Sequence, residues 1–256
     1  MIRISDYPIL VFGLSLVFLW LSAWIGSYLR KRFRGLVNDE DLQDFKVVEG
    51  ATLTLLGLLI GFSFSMAISR YDQRKNYEEA EANAIGTEYL RADLLPAADA
   101  AKIHVLLRAY LDDRILFYNT RDSGRLRQID ADTAQVQANL WSAVRGPAQT
   151  QPSMLSSLIL SGMNDVLNSQ GYTQAAWWNR IPRPAWALMA AISICCNLLI
   201  GYGSRRINAR PILFFVIPLV VSISFFLIAD IDSPRGGVIR VTPQNLVSLA
   251  QSLPPN

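Results

Sequence analysis

Chemistry has few residues to work with in this chain. One histidine, His104, and two adjacent cysteines, Cys195 and Cys196, are its whole supply of imidazole and thiol. They do not make up the four-ligand sets that zinc requires. Ser153 and Ser156 have no base close by in the sequence. The phosphate-cradling loop G-x-x-x-x-G-K, the nucleophile elbow G-x-S-x-G and the metal motifs H-E-x-x-H and C-x-x-C are all missing. The residues predict no catalytic site, no cofactor and no bound metal. The suggestive pattern lies instead in acidic and small residues set along apolar runs. Glu49 opens one such run, and Asp230 and Asp232 close another. An ionisable group inside a membrane is costly and usually functional. At the edge of a span, solvation at the interface is the simpler reading. A ring of such carboxylates from several copies, which would favour cations, is the functional one.

The small residues form a line. Gly50, Thr54, Gly57, Gly61 and Ser65 recur at helical spacing. Ten turns of 3.6 residues carry Gly50 onto the azimuth of Gly86, and the same face presents Asp72, Lys75, Glu79 and Asn83. The face is small where the chain is apolar and polar beyond it. Two readings compete. Gly57 and Gly61 form a G-x-x-x-G pair, which lets helix backbones approach closely in a membrane. Alternatively, the small residues widen a water-lined path and the polar ones form its vestibule. On these residues alone the packing reading carries more weight.

The elements that must carry this line are long helices. The sequence has charge-free intervals of 23, 20, 21 and 19 residues, between Asp6 and Arg30, Glu49 and Arg70, Arg183 and Arg205, and Arg210 and Asp230. A helix crosses the hydrocarbon core with about 20 apolar residues. Four transmembrane helices are therefore predicted, near Pro8–Leu29, Gly50–Ser69, Pro184–Ser204 and Pro211–Ala229. Trp20 and Trp24, and Trp177, Trp178 and Trp186, fall toward span ends, where aromatic belts form. Hydrophobic residues make up 51% of the chain and charged residues 18%, which fits a membrane protein. A net charge of +3, dispersed along the chain, gives no sign of nucleic acid.

Residues 70–184 balance 13 basic against 13 acidic side chains and show helical periods. Leu126, Ile129, Thr133, Val136, Leu140 and Ala143 share one face; Leu155, Ile159, Gly162 and Val166 share another. Breaks are expected at Pro96, Ser123–Gly124, Gly146–Pro147 and Gly171. No proline falls between Val47 and Leu95. A helix of roughly 48 residues and about 70 Å should cross the bilayer there and continue beyond it. The charges Asp72, Arg74, Glu78, Glu81, Glu88 and Arg91 on it read as a solvated face. Pro243–Leu253 reads as a short amphipathic helix with Leu246, Leu249 and Leu253 on one side. The fold class is thus all-α. Spans one and two lie in 1–69, a helical extramembrane domain in 70–184, spans three and four in 185–229 and a short tail in 230–256. The short loops carry Arg30, Lys31, Arg32, Arg34, Lys46, Arg205, Arg206 and Arg210, against Arg3, Arg235 and Arg240 on the other side. Short-loop charge puts the eight in the cytoplasm, with the termini and middle domain outside. Counting the five basic residues that flank the middle domain near the membrane (Arg70, Arg74, Lys75, Arg180, Arg183) levels the tally.

Several segments carry a resemblance: Glu49-Gly-Ala-Thr52 through Gly61-Phe-Ser-Phe-Ser65, Arg70-Tyr-Asp-Gln-Arg74, Glu81-Ala-Asn-Ala-Ile-Gly86 and Tyr89-Leu-Arg-Ala-Asp93, with Asp232-Ser-Pro-Arg-Gly236 and Ile239-Arg-Val in the tail. They resemble the bacterial bestrophin-like membrane family of unknown function, over about residues 10–253. The resemblance implies a relation to bestrophins, homopentameric anion channels whose second span lines the pore. That would bring Thr54, Gly57, Gly61, Phe64 and Ser65 toward an axis. It also implies a cytoplasmic middle domain, opposite to the loop count. The acidic calcium clasp of bestrophins has no counterpart beyond Asp230 and Asp232, so calcium gating is not expected. The leading expectation is a homo-oligomeric ion channel in the lipid bilayer, a pentamer by resemblance. The alternative is a non-conducting sensor or scaffold that binds a partner through the helical domain.

Overall fold

The computed structural model describes residues 4–32, 39–150, 152–204 and 211–254. A short 3-10 turn at Ile4–Asp6 precedes α1 (Pro8–Arg32), α2 (Asp39–Ala92), α3 (Ala97–Asn119), α4 (Ser123–Thr150), α5 (Met154–Trp178), α6 (Arg183–Gly203), α7 (Pro211–Asp232) and α8 (Gln244–Ser252). No strand occurs among the described residues. Stretches of α1, α2, α6 and α7 are long and apolar enough to cross a membrane. Of the short-loop basic residues, Arg34, Arg205, Arg206 and Arg210 lie outside the described residues. The chain divides into two units, one of Met1–Arg70 with Arg180–Arg240, the other of Tyr71–Asn179 with Val241–Asn256. The boundary falls inside α2. The tail is shared, since residues after Arg240 belong to the second unit.

In the first unit α1 and α6 run parallel. The Arg30 guanidinium, in the last turn of α1, donates to the carbonyls of Tyr202 (2.8 Å) and Gly203 (2.9 Å) at the end of α6. Helix C-termini leave such carbonyls without intrahelical partners, and a cation there also suits the helix dipole. At the opposite ends Arg180 pairs with Asp6. Between them the two backbones nearly touch. A Cβ placed on Gly26 would overlap the carbonyl of Leu198, and one on Gly201 would overlap that of Ala23. Small residues at a membrane helix interface permit this approach. α7 packs antiparallel on α1, with Phe12 and Phe226 edge to face at 6.3 Å.

The second unit is built around Ile85, Ile103, Leu107, Leu111, Leu140, Ile159, Met163 and Leu246, all buried. The heptad-like faces expected in α4 and α5 point into this core, although Leu155 is exposed. Pro96 stops α2 and precedes α3. Ser153 and Ser156 form the capping box of α5. Two expected breaks are not there. Pro147 lies inside α4, three residues from its end, where only one last-turn bond is lost. Thr150 Oγ1 donates back to the carbonyls of Gly146 and Pro147, both at 3.2 Å. Gly171 lies within α5, and its intrinsic cost of about 1 kcal/mol is outweighed by the buried Val166, Thr173 and Trp177 around it. α2 also starts earlier than expected, and its 54 residues make it about 80 Å long.

Candidate functional site

α2 has two faces of different character. One is packed: Leu56, Ser63 and Ala67 are buried in the first unit, and Arg74, Glu78, Glu81, Ile85, Glu88 and Ala92 in the second. At 100° per residue these residues cluster on one side of the helix. The other side carries the expected line. Gly50, Thr54, Gly57, Gly61, Phe64 and Ser65 are all exposed, and no atom lies within 4 Å of a Cβ built on Gly50, Gly57 or Gly61. Gly26 and Gly201, by contrast, bring helix backbones together. Among the described residues, no neighbouring helix lies within 4 Å of a Cβ built on Gly57 or Gly61. Thr54 turns its hydroxyl onto the carbonyl of Gly50 (2.9 Å), which satisfies the donor and leaves an exposed oxygen.

Farther along, Asp72, Glu79 and Asn83 continue on the exposed side. Gly86 does not. It is half-buried beneath α8, where a Cβ would come 3.0 Å from Leu249 Cδ1. Its role is to admit α8, and it forms no part of an exposed vestibule.

The three edge carboxylates are not brought together. Glu49 is half-buried on the packed side of α2, against Gly203 at the end of α6. Asp230 is buried and accepts from the backbone N–H of Val238 and Ile239, both at 2.8 Å. Asp232 is also buried, accepts from Ile181 N at 3.1 Å and lies 3.7 Å from Arg70. Both readings of the two aspartates, solvation at the interface and a ring of carboxylates open to cations, are corrected here, since their oxygens are committed to the chain's own backbone. Each ties a loop to the end of α7. Among the described residues no group of three His, Cys, Asp or Glu side chains is placed to hold a metal ion.

The charged face expected to be solvated is also largely interior. Glu81 and Arg114 are both fully buried and meet as a fork, at 2.5 Å and 3.5 Å. Thr173 Oγ1 donates to the same carboxylate at 3.1 Å, and the Arg114 guanidinium lies over the Phe117 ring at 4.4 Å. Glu78 accepts from Asn245 Nδ2 (2.6 Å) and from Leu246 N (3.0 Å), capping the start of α8 in place of Pro243. The spacing 74, 78, 81, 85, 88 is the core period itself, a signal overridden by the charge of the residues.

Glu88 is buried against Gly162, with Arg91 at 3.8 Å. Burial pushes its carboxyl up to about 8; Arg91 works against the rise and Asp165 adds to it. The folded pKa is above the unfolded one, so the native state holds this proton more tightly. Its contribution to stability is full below about pH 4.5 and is lost as pH rises through about 8. Thermal stability should therefore fall between pH 5 and 8, by up to about 1.4 kcal/mol per pH unit. Glu88→Gln should flatten that slope, as melting curves at several pH values would show.

A family profile described as Bestrophin-like domain matches residues 17–246. No curated protein matches the chain. The fold is similar to that of a bacterial Bestrophin homologue from Klebsiella pneumoniae, at 14% identity and a TM-score of 0.65, covering 96% of this chain and 99% of that one. A point-mutant form of the Klebsiella homologue matches at 13% identity and a TM-score of 0.64, over 94% and 97% of the two chains. Identities this low speak for the fold alone. The family profile spans most of the sequence, and with it the four apolar helices and the helical unit between the second and third. The chain belongs to the Bestrophin-like family of membrane proteins.

Proposed function

We propose that the chain assembles as a homo-oligomeric ion channel with α2 around the axis, and that it is not an enzyme. The observation that carries the reading is the exposed line Gly50, Thr54, Gly57, Gly61, Phe64 and Ser65, small or hydroxylated along most of its length, whose three glycines have open space before them among the described residues. Four spans with so little charge inside them do not enclose water within one chain, so a path needs several copies. Around an axis, glycines would give width and hydroxyl oxygens a weakly polar wall. Asp72, Glu79 and Asn83 would line the wider mouth. The resemblance to bestrophins favours five copies.

Native mass spectrometry in mild detergent is the first test, with a single closed assembly of about five chains expected. Planar-bilayer recording is the second. Gly57→Leu with Gly61→Leu should assemble normally and lose conductance, because leucine side chains would fill the narrowed path. Normal conductance from the assembled double variant would defeat the reading. A second reading, a scaffold that binds a partner through the helical unit, draws support from exposed apolar side chains there, among them Val105, Met154 and Trp178. A monomer that copurifies with one stoichiometric protein would favour it.

The short-loop charge favours a bacterial inner-membrane protein with termini and middle domain outside the cytoplasm. Arg121→Cys, on the exposed link between α3 and α4, should react with an impermeant thiol reagent in intact cells. Reaction only after permeabilisation would support the arrangement that the bestrophin resemblance implies.

A further inference from the structure

The first unit contains a cavity that the proposed pore does not use. Its volume is about 580 Å³, within the range of ligand-sized sites. Leu14 and Phe18 of α1 and Ala190 and Ile194 of α6 line its body. Leu14, Phe18, Ala190 and Ile194 are exposed, so the cavity opens along the face that lipid would cover. Ser15, which also borders it, turns its hydroxyl onto the carbonyl of Phe12 (3.0 Å) and offers the cavity little polarity.

The two ends of the groove differ because α1 and α6 run parallel. At the N-terminal end stand Arg183, whose guanidinium side chain is exposed, and Trp186. The start of α6 adds the positive end of a helix dipole. From Arg183 to Ile194 the helix rises about 16 Å, roughly half of a hydrocarbon core of about 30 Å. The groove is therefore one leaflet deep, apolar along its length, with a cation and an aromatic belt residue at its mouth.

We propose that this groove binds one phospholipid per protomer, an acyl chain lying between α1 and α6 and the phosphate beside Arg183. The site is independent of whether α2 lines a pore. The chain gains burial for its methylenes against Leu14, Phe18 and Ile194. The phosphate gains a charge-assisted partner where headgroups lie.

The test is a titration of delipidated full-length protein in detergent with palmitoyl-oleoyl phosphatidylglycerol, read as bound lipid per protomer by native mass spectrometry. One tight site per protomer is expected. Ala190→Trp, which fills the groove from an exposed position, should weaken it by about tenfold or more. Arg183→Gln should weaken phosphatidylglycerol more than it weakens an uncharged diacylglycerol. Equal binding by the wild type and Ala190→Trp would overturn the proposal. So would a fall in copy number in Ala190→Trp with lipid binding unchanged, which would assign the groove to a contact between copies. Should Ala190→Trp fail to accumulate, phosphatidylglycerol with a brominated acyl chain keeps the question open to an answer. It should quench the part of the fluorescence that Trp186→Phe removes, and no quenching of that part would reject the site.

Discussion

Arg114→Leu will destabilise the helical unit by about 3–5 kcal/mol, a large share of the roughly 5–15 kcal/mol that holds an ordinary domain folded. The replacement leaves the Glu81 carboxyl group fully buried and short of its main partner. The hydroxyls of Thr173, at 3.1 Å, and Tyr118, at 3.5 Å, would remain as its donors. Glu81→Leu strands Arg114 in the same way and should cost a similar amount. The double replacement removes both charges and should recover most of the loss, since a buried pair seldom outperforms well-packed apolar residues. Trp177 packs edge-on against Phe117 and Tyr118, within 5.4 Å of both, and supplies the fluorescence by which thermal or denaturant unfolding can be followed. Additive losses in the double variant would show that packing around the pair, rather than the pair itself, sets the cost.

Gly201→Leu will prevent the membrane unit from closing, whereas Gly57→Leu will leave it intact. The first places a side chain where the carbonyl of Ala23 already stands, and backbone cannot yield as a flexible side chain can. α1 and α6 would have to separate, releasing the Arg30 contacts at their ends. Extractable, monodisperse protein should fall about tenfold or more, and Gly26→Leu should behave alike. At Gly57 there is open space, so the protomer should fold and assemble, and any loss should appear in conduction. Comparable yields from Gly201→Leu and Gly57→Leu on size-exclusion chromatography would contradict this division between packing glycines and free ones.

The spans, their order and the helical unit were legible because charge-free length and helical period are properties of sequence alone. The unbroken course of α2 could be read from the lack of proline between Val47 and Leu95. The break at Gly171 was misread because a local propensity of about 1 kcal/mol yields to burial of the neighbours, and that at Gly146–Pro147 because a proline in the last turn forfeits only one bond. The small-residue face was visible as a pattern, but sequence could not say whether it packs. Coordinates separate Gly57 and Gly61 from Gly26 and Gly201, whose pairing joins two helices far apart in the chain. The carboxylates were misplaced for one physical reason. An acidic side chain reads as solvated unless its partner is known, and Arg114, Asn245 and the backbone of Ile181, Val238 and Ile239 are partners that only the fold brings near.

The capping of α8 by Glu78 has a consequence for biosynthesis. Glu78 and Ile85 emerge from the ribosome well before Asn245 and Leu246, and two spans are made in the interval. Until then the helical unit holds an acceptor without its donors and a core without Leu246, which is fully buried once in place. The unit therefore completes itself only after the last span has been delivered to the membrane. A chain that stalls before Pro243 leaves that seat open, and a chaperone or protease could read the vacancy as the mark of an unfinished protein.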